Sequence, residues 1–227
     1  EPVSLIRQEV TALRAATSRP FAVNVIPSAT ESGLLEAQIS CCLELAVPAF
    51  TFFWDVVPRV VERVKQAGAQ VLHQVGTVEA ARIAEAAGAD VLIAQGVEAG
   101  GHVHGRRPTF DLTAGILEQT ALPVVASGGL GTGADLARAL QMGAAGIQCG
   151  TAFLATEESF AHPYHKDRVV LAGAGDTVLT DVFVLNWPKG AAVRVLQNSV
   201  TRALDGAYLG HDPDLLPRET IAWDNGQ

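Results

Sequence analysis

The sequence is poor in several things that would announce a function. It holds only three cysteines in 227 residues: Cys41 and Cys42 side by side, and Cys149 far away. None of the two-residue spacings of zinc sites occurs, so neither a disulfide framework nor a metal site is expected. Aromatic residues make up 6%, and no apolar run approaches the roughly 20 residues of a membrane span. No charged-then-apolar leader opens the sequence. Positive charge is scarce too, with 16 Lys and Arg against 24 Asp and Glu and a formal net charge of -8. Nucleic acid and anionic membranes both need a positive footprint, so neither is expected as a partner. A small-molecule substrate and a reducing, cytoplasmic setting fit this composition, and a homodimer is compatible with it.

What is present is apolar content, 48% of the chain, enough for one sizeable core. Three segments share one grammar, in which an amphipathic helix closes on Gly-Ala and a short apolar run follows. In the first, Val57, Val60, Val61 and Val64 fall at i, i+3, i+4, i+7. Gly68-Ala69 then precede Val71-Leu72-His73-Gln74-Val75. In the second, Thr77 caps a helix with Ala80, Ile83, Ala84 and Ala87 on one stripe, and Gly88-Ala89 lead into Val91 to Gln95. The third runs from Leu136, Ala139 and Leu140 through Gly143-Ala144 to Gly146–Gly150. Further strands are expected at Phe21 to Ile26, Ala49 to Trp54 and Pro123 to Ser127. Apolar strands without alternation are buried on both faces, and helices between them make the sheet parallel. Six such repeats favour a (β/α)8 TIM barrel over an open sheet. Residues 1–156 read as this barrel portion, and 157–227 as a helical C-terminal extension packing on it. Helices are expected there at Glu158 to Ala172 and Gly190 to Leu204, around an irregular stretch with Trp187-Pro188.

In parallel α/β folds chemistry sits in the loops that follow the carboxyl ends of the strands. After Ser127 comes Gly128-Gly129-Leu130-Gly131-Thr132-Gly133, and after the next strand Gly150-Thr151. Glycines alone make tight turns. Two consecutive loops of this kind match the phosphate site common after the last barrel strands, where backbone N–H groups hold the anion. Gly129 to Ala134 also fits a dinucleotide fingerprint, but the following strand ends in Gly-Thr where a ribose-binding acid is required.

The most specific segment is Ala94-Gln95-Gly96-Val97-Glu98-Ala99-Gly100-Gly101-His102, followed by Val103-His104-Gly105. Taken with Pro20-Phe21-Ala22-Val23-Asn24 and Gly150-Thr151-Ala152-Phe153-Leu154-Ala155-Thr156, it resembles the nitronate monooxygenases, formerly 2-nitropropane dioxygenases, and their relative the FMN-containing enoyl-ACP reductase. The resemblance covers roughly residues 5 to 200. It implies FMN across the barrel mouth and His102 as catalytic base. An imidazole titrating near neutral pH can take a proton from a carbon beside a nitro group. The resemblance further implies Asn24 and the pair His73-Gln74 at the flavin, and Gly128, Gly129, Gly150 and Thr151 at its phosphate. Gln95, Gly96, Gly101 and Ser127 complete the expected cofactor contacts. Gln74 and Gln95 could equally bond neighbouring backbone. His104 should point elsewhere in an extended loop.

The implied activity is oxidation of an alkyl nitronate with O2, His102 deprotonating the neutral nitroalkane. The alternatives are an NAD(P)H-dependent quinone or enoyl-thioester reductase and a non-catalytic flavin-binding remnant. The family's opening strand with Ala-Pro-Met and its second strand ending in glycines find no match here. Glu1 to Thr17 reads as the helix after that second strand. Six strands cannot close an eight-strand cylinder without a large change of tilt, so the first two strands are expected to lie outside this sequence.

Overall fold

A computed structural model describes residues 2–184, 187–188 and 190–212. Its strands are β1 (Ala22–Val25), β2 (Ala49–Phe53), β3 (Gln70–Val75), β4 (Val91–Gln95), β5 (Gly101–Val103), β6 (Val124–Ser127), β7 (Gly146–Gln148), β8 (Thr177–Thr180) and β9 (Ala192–Leu196). The helices are α1 (Val3–Ala16), α2 (Ser32–Glu44), α3 (Pro58–Gln66), α4 (Val78–Ala86), α5 (Thr109–Leu117), α6 (Gly133–Gln141), α7 (Thr151–Leu154), α8 (Pro163–Leu171) and α9 (Ser199–Ala203). Six strands form one curled parallel sheet in the order β1-β2-β3-β4-β6-β7, so each expected strand is found and each pairs with the next in chain order.

The Gly-Ala junctions behave as the sequence requires. α3 hands over at Gly68, whose φ of 82° reverses the chain so that Ala69 leads into β3 at Gln70. A residue with a Cβ would be strained there. Thr77 accepts from the Ala80 N–H at 3.0 Å and starts α4.

Alternation along each strand sorts its residues between two faces. Val25, Phe50, Phe52, Val71, Val75, Leu92, Ala94 and Val124 pack in one core with Ile39, Cys42, Val60, Val64, Ala84, Leu112 and Ile116 from the helices. Burying each large side chain stabilises by about 1.5–3 kcal/mol. The opposite, concave face carries Asn24, Thr51, Phe53, Gln74, Gln95, Ser127 and Gln148, as the register dictates.

This alternation corrects one expectation. His73 pairs in register with Phe52 and Leu92 and lies on the helix side, 1% exposed, while Gln74 faces the concave side. Adjacent strand residues cannot both reach a ligand on one face.

A second correction falls in the extension. Helix α8 lies inside the expected Glu158–Ala172 segment, but Gly190–Leu204 contains β9 before the short α9. Ala192-Val193-Arg194-Val195-Leu196 is rich in β-branched residues, which favour a strand. β9 is the middle strand of a three-stranded antiparallel sheet, β5-β9-β8, that joins the extension to the loop after β4.

Candidate active site

The loops after β4, β6 and β7 converge at the carboxyl end of the parallel sheet. Glu98 Oε2 lies 2.9 Å from the Thr109 backbone N and 2.8 Å from its hydroxyl, tying the loop after β4 to the start of α5. A Cβ on Gly129 would sit 2.8 Å from Glu98 Cβ, and one on Gly100 would sit 2.7 Å from Thr151 Oγ1. The His102 loop, the Gly128-Gly129 turn and the start of α7 thus touch one another.

His102 is presented by β5, opposite Val193 of β9. Gln95 fixes it from the barrel side, donating through Nε2 to the His102 carbonyl at 2.9 Å and accepting from the His104 N–H at 3.4 Å. Of the two readings of Gln95, the backbone bond is the one the structure shows. The His102 ring stacks on Trp187, with centroids 3.6 Å apart and planes 14° from parallel. Trp187 meets Trp54 edge-on at 5.4 Å and Phe53 at 6.0 Å. Trp54 itself holds a left-handed φ of 78° and packs at 4.7 Å from the His104 ring. Non-glycine residues in that region are uncommon and cluster at functional sites. Burial pushes the His102 imidazole down to about 4. His102 Nε2 is buried and has no hydrogen-bond partner among the described residues, and the same holds for His104 Nδ1 and His73 Nε2. A buried polar nitrogen without a partner is costly unless something else supplies one.

The concave face adds an amide pair. Gln148 Nε2 donates to Gln74 Oε1 at 2.8 Å across the sheet. Asn24 is exposed on the edge strand β1 of the same face, beside Thr51, and Ser127 is buried between Gln95 and Gln148 in register. Gly101 takes a φ of 78° at the turn into β5.

The glycine loops contain no Lys or Arg, so the anion donors they offer are their backbone N–H groups. The N–H groups of Gly128, Gly129, Leu130, Gly150 and Thr151 donate to no backbone acceptor among the described residues. The Gly131 and Thr132 N–H groups are already taken by Asp135, at 3.0 and 2.9 Å, in the capping box of α6. Free backbone donors therefore remain at the turn and at the start of α7, an arrangement that can bind an anion.

The sequence matches the nitronate monooxygenase family over residues 3–213. This chain belongs to that family. Among solved structures, nitroalkane oxidase from Streptomyces ansochromogenes superposes with a TM-score of 0.79 at 32% identity, over 94% of this chain and 72% of that one. FabK from Thermotoga maritima, an enoyl-ACP reductase, gives a TM-score of 0.80 at 34% identity, over 90% and 63%. These are TIM barrels, so the barrel expectation holds. A (3aS,4S,5R,7aS)-5-hydroxy-7a-methyl-1-oxo-octahydro-1H-indene-4-carboxyl-CoA dehydrogenase of Mycobacterium tuberculosis is 36% identical over 75% of this chain and 48% of its own length. The chain spans about half the length of the curated relatives it matches.

Sequence reasoning did not single out four residues that the structure places around this candidate site. Gln148 carried the same signal as Gln74, an amide inside an apolar strand. Thr109, Arg194 and Trp187 carried none. Arg194 donates to the Val97 carbonyl at 2.8 Å from a strand taken for helix, and its place beside the His102 loop follows only from the tertiary fold.

Proposed function

We propose that this chain is the catalytic part of an FMN-dependent oxidoreductase that oxidises alkyl nitronates with O2, and that His102 is its base. The observation that carries the reading is the buried, unpartnered His102 Nε2 on a strand pinned beside two glycine loops with free N–H groups. The Gly128, Gly129, Gly150 and Thr151 N–H groups would hold the FMN phosphate, and Asn24, Gln74 and Gln148 offer polar side chains along the concave face. Bound FMN supplies electron acceptance from the nitronate and return of those electrons to O2.

This chain's own residues do the rest. Burial keeps the His102 imidazole neutral across neutral pH, so it is ready to accept a proton at a ring nitrogen from the carbon of a neutral nitroalkane. Trp187 covers one face of that ring, with Phe53 and Trp54 packed behind the indole, and shielding from water strengthens local electrostatics. Gln95 and Arg194 keep the backbone on either side of it in place.

The second reading is an NAD(P)H-dependent quinone or enoyl-thioester reductase, which draws support from the likeness to FabK and to a dehydrogenase of a carboxyl-CoA compound. One experiment separates the two. The FMN-loaded chain is mixed anaerobically with propionate 3-nitronate and, separately, with NADH while the flavin absorbance is followed. Bleaching by the nitronate, with recovery on admitting O2, is expected. Bleaching by NADH alone would move the protein to the reductases.

A further inference from the structure

Several glycines at this site are crowded by protein atoms. A Cβ on Gly96 would lie 2.1 Å from Thr109 Oγ1, and one on Gly128 would lie 2.9 Å from the same atom. The Thr109 side chain is wedged between the loop after β4 and the loop after β6, and the residue is 2% exposed. Its hydroxyl lies 2.8 Å from Glu98 Oε2, 2.8 Å from the Gly128 carbonyl and 3.4 Å from the Ser127 carbonyl. Glu98 takes the Thr109 backbone N–H at 2.9 Å as well, so its carboxylate and the Gly128 carbonyl share the one hydroxyl proton, each 2.8 Å from the hydroxyl oxygen. A carboxylate at the first turn of α5 also meets the positive end of the helix dipole.

We propose that Thr109 is a positioning residue that holds the His102 loop and the Gly128-Gly129 turn at one spacing, its hydroxyl bridging Glu98 of the loop and the Gly128 carbonyl of the turn. Flavin-phosphate binding and proton transfer at His102 are coupled through it. The inference rests on the reading of the site given above, since it takes the turn to hold phosphate and His102 to act as base.

The two arms predict different losses. Thr109→Val leaves the Gly128 carbonyl without its hydroxyl, and FMN affinity in fluorescence-quenching titration should fall roughly ten-fold or more. Thr109→Ser keeps the hydroxyl and should bind FMN within about three-fold of the wild type. Glu98→Ala leaves the Thr109 hydroxyl on the turn, so FMN affinity should stay within about three-fold while turnover of neutral nitroalkane falls roughly ten-fold at saturating FMN. The Glu98 variant with Thr109→Ser still decides the matter if Thr109→Val does not fold. Wild-type affinity in Thr109→Val, or loss of FMN in Thr109→Ser, would overturn the hydroxyl's role. Loss of FMN in Glu98→Ala would overturn the division between the arms. A wild-type chain that binds no FMN ends the functional reading and this inference with it, in the first titration. Tight FMN binding indifferent to all three changes ends the inference alone.

Discussion

At residue scale the consequential feature is an imidazole whose proton affinity is set by burial. His102 titrates near 4 in the folded chain against 6.5 in water. Between those values the unfolded chain carries the extra proton, so stability falls as pH drops from about 6.5 to about 4 and is unaffected by this group above that window. His73 and His104 are pushed down by burial as well and act in the same direction. The acid limb of kcat/KM for neutral nitroalkane should lie near 4, and Trp187→Ala, which uncovers the ring, should move it up toward 6.5. A limb that stays put in Trp187→Ala would show that the indole does not set this environment. His102→Asn should slow neutral nitroalkane by about 10²–10⁴-fold and the preformed nitronate far less, because only the neutral form needs a base. Equal losses on both would assign His102 to binding instead. Polar residues inside apolar strands and glycines after them were readable as candidates from sequence. What the glycines face was not: Gly96 and Gly128 read as room for a ligand, and part of that room is filled by Thr109, a residue 13 positions beyond one and 19 before the other.

At element scale the βα units were legible because each is local. An amphipathic helix, a left-handed glycine and an apolar run are all contained in about thirty residues, and three such units with three further apolar runs placed the parallel strands within two residues of their observed ends. The antiparallel sheet was illegible because β5 has three residues and pairs with a strand some ninety positions away. Nothing in Gly101–Val103 alone says strand. That pairing makes β9 part of the site, and a break in it should be felt at His102. Val193 stands opposite His102 in the ladder, and Val193→Pro removes a backbone donor from the middle strand of the sheet, which proline does not tolerate. Amide exchange at Gly101–Val103 should become faster while β1–β4 keep their protection, and neutral nitroalkane turnover should drop. Unchanged protection at β5 would mean that Gln95 alone holds that strand.

At the scale of the whole molecule, the balance of charge bears on how the chain meets an anionic cofactor. The protein carries a formal net charge of -8, and the turn and helix start that offer free N–H groups contain no cation. A phosphate held by Lys or Arg loses affinity as salt rises, because screening weakens the attraction. A phosphate held by backbone dipoles in an acidic protein behaves oppositely: the short-range bonds are little screened, while the long-range repulsion is. FMN affinity should therefore stay level or rise as ionic strength goes from about 10 mM to about 150 mM, over which the screening length shrinks from about 30 Å to about 8 Å. Riboflavin, which lacks the phosphate, should bind more weakly than FMN and show no salt response. Its smaller effect should appear directly as a smaller rise in melting temperature at equal concentration, since a ligand of the folded state stabilises by RT ln(1 + [L]/Kd). A steep fall of FMN affinity with salt would place a cation at the phosphate, with Arg106 and Arg107 in the loop after His104 the first to substitute. Equal melting shifts for FMN and riboflavin would remove the phosphate from the glycine turn altogether.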